Sequence, residues 1–150
     1  MGSRLRKGIP TRREEPRVIR LYDRSVLDHL GIHVRDLQRT RDFYLAALAP
    51  LGYELVMEPI EGRYGLGAGG KPDFWIQAGE PGPPLHIAFA SPDRQTVDAF
   101  HEAALAAGGH DNGGPGVREI YHPNYYSAFV LDPDGNNVEA VCHRPDPPGS

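Results

Sequence analysis

The sequence predicts an α+β fold made of two tandem βαβββ modules with their helices outside. Three observations predict it. The chain repeats itself at an offset of 57 residues, each copy opens on a period-two stretch that gives way to helical spacing, and 18 Gly with 15 Pro in 150 residues supply many turns. Such a composition suits short elements rather than a helical bundle. In the repeat, His29 falls on His86, Asp36 on Asp93, Gln38 on Gln95, Phe43 on Phe100 and Gly52 on Gly109. The run Ala46-Ala47-Leu48-Ala49 falls on Ala103-Ala104-Leu105-Ala106, giving nine identities over the 24 positions from 29 to 52. Alanine-rich helices match by chance, so the His, Asp, Phe and Gly pairs carry most of the weight.

The elements follow in order. Val26 to Val34 alternates, with Leu30, Ile32 and Val34 on one face and His29, Gly31 and His33 on the other, which is strand periodicity. Asp36 is placed to cap a helix whose apolar face carries Leu37, Phe43, Tyr44, Ala47 and Leu48. Strands are expected at Tyr53 to Glu58, Gly62 to Leu66 and Asp73 to Ala78. The second copy begins with Leu85 to Ala90, where Leu85, Ile87 and Phe89 oppose His86, Ala88 and Ala90. Ser91-Pro92 reads as the cap and first position of a helix with Val97, Phe100, Ala104 and Leu105 on its apolar face, stopped by Gly108-Gly109. A sixth strand somewhere in 109–121 is poorly marked. The last two strands, Tyr126 to Leu131 and Asn137 to Cys142, flank the turn Asp132-Pro133-Asp134-Gly135-Asn136.

One folded domain is expected over 26–143, with module 1 at about 26–82 and module 2 at about 83–143. Residues 1–25 form a basic extension, with eight Arg or Lys against three Glu or Asp, and residues 144–150 a Pro-rich tail. The extension carries +5, which leaves −9 on the rest of the chain. A basic arm is able to meet nucleic acid or lipid. Without interleaved aromatic residues before Tyr22 it reads instead as a solvated extension, so nucleic acid is not the expected partner. A weaker third reading is a nucleic-acid adaptor using residues 1–25, whose mark is salt-sensitive binding lost with the tail. One cysteine, Cys142, excludes an internal disulfide and suits a reducing cytoplasm. No apolar run is long enough for a membrane helix.

His29 and His86 occupy the same place in the two copies, and a pseudo-twofold axis would set them face to face. Neutral imidazole is the commonest metal ligand. Glu139, flanked by Val138 and Ala140 on a presumed central strand, is the candidate third donor, because a buried carboxylate needs a cation. Two His and one carboxylate suit Fe, Mn, Zn, Ni or Co. The same residues also admit a plain structural reading, with each histidine a hydrogen-bonded strand residue and Glu139 paired with an arginine such as Arg118.

Three segments carry a family resemblance. Leu27-Asp28-His29-Leu30-Gly31-Ile32-His33-Val34-Arg35-Asp36-Leu37 with Phe43-Tyr44, then His86-Ile87-Ala88-Phe89, then Phe129-Val130-Leu131-Asp132-Pro133-Asp134-Gly135-Asn136-Asn137-Val138-Glu139, resemble the vicinal oxygen chelate proteins: glyoxalases, bleomycin-resistance proteins and extradiol dioxygenases. The resemblance spans about 26–143. It implies an open, barrel-like curved sheet around a divalent metal held by His29, His86 and Glu139, and commonly a homodimer. The glyoxalase I branch adds a donor on the last strand of module 1. Shifting Glu139 back by 64 residues lands on Trp75, which binds no metal, and Gln77 lies two residues beyond. Three protein ligands are therefore expected, as in the fosfomycin-resistance and extradiol branches.

Around that centre, Glu139, His33, Tyr126 and His122 are the expected catalytic groups, and Trp75, Gln77, Tyr64, Tyr125 and Asn124 the expected pocket. Each has a plain structural role open to it, from core filler to loop clamp. Gly65-Leu66-Gly67-Ala68-Gly69-Gly70 lacks the strand-then-helix context of a nucleotide loop. Two functions follow. One is a metal-dependent lyase, isomerase or dioxygenase acting on a small oxygenated molecule by bidentate chelation. The alternative is a metal-free binding protein of the bleomycin-resistance kind, using Tyr64, Trp75, Tyr125 and Tyr126.

Overall fold

The computed structural model describes residues 26–147, so the expectations for the basic segment 1–25 lie outside the described residues. Module 1 runs β1 (Leu30–Val34), α1 (Leu37–Ala47), a 3-10 turn at Ala49–Leu51, β2 (Glu54–Ile60), β3 (Arg63–Gly67) and β4 (Phe74–Ala78). Module 2 runs β5 (His86–Ala90), α2 (Arg94–Ala106), β6 (His110–Val117), β7 (Tyr126–Leu131) and β8 (Asn137–Cys142). This is βαβββ twice. Each module forms one four-stranded mixed sheet, ordered β1-β4-β3-β2 and β5-β8-β7-β6, and the two sheets are not closed into a barrel. Among the described residues no helix is long and apolar enough to cross a membrane.

The two modules share one local logic. Asp36 caps α1 by accepting from Arg39 N at 3.0 Å, and Asp93 caps α2 by accepting from Thr96 N at 2.7 Å. The second cap corrects the expectation at Ser91-Pro92. An aspartate three residues before the amide reaches the N3 position of the helix, whereas the Ser91 hydroxyl donates to the Asp93 carbonyl and Pro92 stays outside. Gly108, at φ 95°, ends α2, and its amide and that of Gly109 bond back to Leu105 and Ala104.

Other boundaries shift for physical reasons. β1 starts at Leu30 rather than Val26, because its parallel partner β4 offers only Phe74 to Ala78. His29 therefore sits just ahead of the strand. β6 escaped sequence reading because its Gly113-Gly114-Pro115-Gly116 run has no alternation, and its pairing with β7 shifts register at Gly113 and again before Gly116. It is an edge strand, where Gly and Pro are tolerated. Leu105, expected on the apolar face of α2, is exposed.

The core lies between the sheets and helices and is common to both modules. Phe43, Tyr44, Phe74 and Phe100 are fully buried, as are Ile76, Val130 and Val138. Edge-to-face ring contacts cross the module boundary, with Phe89 at 5.5 Å from Phe74 and 5.4 Å from Tyr53. A buried polar tie also crosses it. The Tyr44 hydroxyl of α1 donates to Asp132 at 2.5 Å, and Asp132 accepts from the amides of Asp134 and Asn136 and the Asn136 side chain, each at 2.9 Å. Asn136 then accepts from Leu85 N at 2.8 Å, just ahead of β5.

Replacing Tyr44 with Phe deletes the cross-module donor while keeping the ring. The expected cost is about 1.5–3 kcal/mol, the worth of a buried hydrogen bond to a charged group. Urea unfolding measures it, and an unchanged midpoint would show that the tie contributes nothing.

Candidate functional site

On the second sheet, Glu139 of β8 stands opposite Ala88 of β5 and Phe129 of β7. Strand alternation puts His86 on the same face as Ala88, and the small Ala88 leaves room for Glu139 to reach it. His86 Nε2 lies 2.7 Å from one Glu139 oxygen, and the Tyr125 hydroxyl donates to the other at 2.6 Å. The Glu139 side chain is 1% exposed and that of His86 55%. The carboxylate is sealed in, while the imidazole opens outward. Burial, then the bond to Glu139, pushes the Tyr125 phenol up to about 12. Tyr125 thus keeps its proton at neutral pH and serves as donor.

Around this trio stands a rim of rings. Tyr125 touches Tyr121 at 4.8 Å, His143 at 5.2 Å and His122 at 5.5 Å. His122 Nε2 and His143 Nδ1 are 2.7 Å apart, a spacing that needs one nitrogen to donate and the other to accept. Asn124 meets this rim through its backbone amide, which donates to His122 Nδ1 at 3.0 Å. Arg118 does not pair with Glu139. It donates to the Gly114 carbonyl at 2.6 Å and lies over the Phe129 ring.

The first sheet carries a cleft of about 640 Å³, in the range of small-molecule sites. His29, His33, Trp75 and Gln77 line it, together with Arg63, Lys71 and Asp28. His29 Nδ1 is 2.7 Å from Asp28, which also accepts from Lys71 at 2.9 Å. The bonds from Lys71 and His29 pull the Asp28 carboxyl down to about 2.

The structure thus brings His86, Glu139 and Tyr125 together on one sheet, and His29, His33, Trp75 and Gln77 on the other. It does not bring His29 into the His86–Glu139 pair. Among the described residues no three His, Cys, Asp or Glu side chains of the chain form a group able to hold a metal. Two expected site residues face the helices instead. Tyr126 donates to Asp98 of α2 at 2.6 Å, with Arg94 over its ring. Tyr64 is buried, and its hydroxyl accepts from Gln38 of α1 at 3.3 Å. Each sits one residue out of phase with the open face of its sheet, so Tyr125 takes the place given to Tyr126. Arg63, Lys71, Asp28 and His143 went unnoticed in the sequence. Alternation was the available signal for Arg63, which shares its strand face with Gly65.

The pairing confirms the internal equivalence of the copies. Gly31 pairs with Trp75 and Ala88 with Glu139, and Gly31 and Ala88 are 57 residues apart. Trp75 therefore occupies in module 1 the place of Glu139 in module 2.

Comparison with known proteins follows the same lines. The model of the Glyoxalase/Bleomycin resistance protein/Dioxygenase superfamily matches residues 26–140. A glyoxalase/bleomycin resistance protein from Albidiferax ferrireducens superposes with a TM-score of 0.68 at 31% identity, covering 81% of this chain and all of its own. A glyoxalase/bleomycin resistance protein/dioxygenase family enzyme from Burkholderia phytofirmans shares the fold at a TM-score of 0.61 and 23% identity, over 79% of this chain and 98% of its own. A lactoylglutathione lyase from Agrobacterium tumefaciens shares it at 0.57 and 19%, over 79% and 94%. A search of curated proteins finds no match.

The raised Tyr125 phenol has a signed consequence. Its folded-state value, about 12, lies above the ordinary value of 10.0. Its contribution to stability is therefore complete below pH 10 and lost as pH rises through 12. The stability difference between wild type and Tyr125→Phe should shrink across that window in urea unfolding, and a difference that grows instead refutes the assigned bond.

Proposed function

Because the chain belongs to the glyoxalase/bleomycin resistance protein/dioxygenase superfamily, we propose that it is a divalent-metal-dependent enzyme. Its substrate is a small oxygenated organic molecule, and its reaction is of the lyase, isomerase or dioxygenase type. The metal, of the Fe, Mn, Zn, Ni or Co kind, would be held by His29, His86 and Glu139. One observation carries the reading: a carboxylate 1% exposed lies 2.7 Å from an imidazole that faces outward. Such a donor pair fits a divalent ion, which would replace the hydrogen bond now holding the two together.

His29 lines the cleft of the first sheet and also a crevice beside Ile87 to Ala90 of β5. Among the described residues it forms no three-donor group with His86 and Glu139, so in this reading a second copy of the chain supplies it. A homodimer in which module 1 of one protomer faces module 2 of its partner closes by twofold symmetry. The exposure of Leu55, Met57 and Ile60 along edge strand β2 favours an interface of some kind. A reducing cytoplasm suits the free, buried Cys142 thiol.

The metal would act as a Lewis acid toward substrate oxygen. The chain's own groups do the rest. Tyr125 holds one Glu139 oxygen by donating its proton, and so aims the other toward His86. His86 must be neutral to ligate. His33 on the cleft wall and His122 at the rim, its proton shared with His143, are the groups placed to take and return a proton.

The separate cleft over Trp75 favours a second reading, a metal-free binding protein. Under it, ligand affinity survives His86→Ala.

Metal titration of the chelator-treated protein tests the first reading. One equivalent per chain is expected, together with a particle of twice the 16.5 kDa chain mass. His86→Ala and Glu139→Gln should each weaken binding by more than about 100-fold, and Tyr125→Phe by about 10–100-fold, as removal of a ligand's hydrogen-bond partner does. Absence of stoichiometric metal from wild type ends the proposal.

A further inference from the structure

The first sheet has a built cleft whose chemistry goes beyond a metal ligand. Its floor is Trp75. Trp75 stands directly across from Gly65 of β3, and a Cβ added at Gly65 would lie 2.9 Å from two carbons of the indole's six-membered ring. The ring lies across the glycine, and no larger residue leaves it there. The result is a broad aromatic platform at the strand position where module 2 carries Glu139.

Beside the platform is a cation without an acid. Arg63 pairs with Gln77 in the strand register, so it is a diagonal neighbour of Trp75 on the same face. Its Nε and Nη2 donate to one oxygen, Gln77 Oε1, at 3.1 and 2.5 Å. A neutral amide fixes the guanidinium but does not neutralise it. Among the described residues no carboxylate forms an ion pair with Arg63, whereas Lys71, the other cation lining this cleft, is matched by Asp28. The cleft thus holds an oriented, unneutralised guanidinium next to a flat ring. Diagonal neighbours on a sheet stand ~7–8 Å apart, about the span of a benzene ring and its carboxylate.

We propose that this cleft binds a planar aromatic carboxylate, its ring stacked on Trp75 and its carboxylate on Arg63. Aromatic faces stack in offset fashion, and guanidinium matches carboxylate geometry. The proposal names a substrate class for the site described above, and it rests on that reading only in treating the ligand as substrate. All of its residues belong to module 1.

Trp75 is the only tryptophan of the chain, so its emission reports on the cleft directly. The experiment uses the full chain, stripped of metal by chelator, with benzoate as probe, benzamide as its neutral analogue and cyclohexanecarboxylate as its saturated one. Calorimetry and tryptophan emission follow binding. Benzoate is expected to bind about tenfold more tightly than benzamide, as a charge-assisted hydrogen bond implies, and more tightly than cyclohexanecarboxylate. Arg63→Gln should remove the preference over benzamide while leaving the unfolding midpoint unchanged, and Trp75→Leu the preference over cyclohexanecarboxylate. No benzoate binding, equal binding of benzamide, or full benzoate affinity in Arg63→Gln each overturns the proposal. His86→Ala separates the two ideas. Loss of benzoate binding in that variant moves the site to the second sheet and overturns this inference, while the metal titration of the wild type decides the enzyme reading separately. Benzoate binding retained by a protein that takes up no metal leaves this inference standing and removes the enzyme reading.

Discussion

The arrangement of the second sheet depends on one buried carboxylate, Asp132. It is 2% exposed and gathers four donors: the Tyr44 hydroxyl, two amides of its own turn and the Asn136 side chain. Buried charge is tolerated only when its lone pairs are met, and here meeting them dictates geometry. The turn amides fix the β7–β8 hairpin. Asn136, oriented by Asp132, accepts from Leu85 N, and Asn137 N donates to Leu85 O at 2.8 Å. These bonds set the parallel register of β5 on β8, with His86 beside Asn137 and Ala88 beside Glu139. A slip of one residue would turn His86 to the core. The Tyr44 hydroxyl adds the relation between modules, because it comes from α1. Site geometry on one sheet is thus tied to a helix of the other module.

The duplication explains what the two halves share and where they part. Shared are the aspartate helix caps, the parallel first and last strands of each module and the pattern that buries Ile32 and Val34 in one copy and Ile87 and Phe89 in the other. These are demands of the backbone and the common core. The open faces of the sheets carry no such demand and have diverged. Module 2 presents His86, Glu139 and Tyr125, and module 1 presents Trp75, Arg63 and Gln77.

The sequence made the fold legible because both of its periodicities are strong and are repeated. β7 and β8 were read to the residue, since alternation and the Asp132–Asn136 turn agree. β6 was not, because glycine and proline on an edge strand erase alternation. For the candidate site residues, the face was legible where they share phase with a recognisable partner: His86, Glu139, Trp75 and Gln77 all fall on the open faces. Tyr126 and Tyr64 were misplaced by one residue, and in a strand one residue is the whole difference between helix side and open side. Tyr125 and Tyr126 are adjacent and chemically identical, so composition offers no choice between them. Only the pairing of Tyr126 with Cys142, a core residue, assigns their faces. Contacts of Arg63 with Gln77 and of His122 with His143 join residues far apart in the chain, and no local pattern announces them.

The duplication also supplies an internal control for Glu139. The same strand position in module 1 holds Trp75, and that sheet forms with the same order and register. The fold therefore does not require an acid there. Burying one costs several kcal/mol unless it is fully partnered, and an apolar residue of similar size would pack without that cost. His86 and Tyr125 occupy two of the roughly four lone-pair directions of the carboxylate. The rest of its acceptor capacity is held beside an imidazole that opens to solvent. A buried carboxylate that the architecture can do without, aimed at an accessible nitrogen, is what the proposed metal site would call for and the fold itself would not.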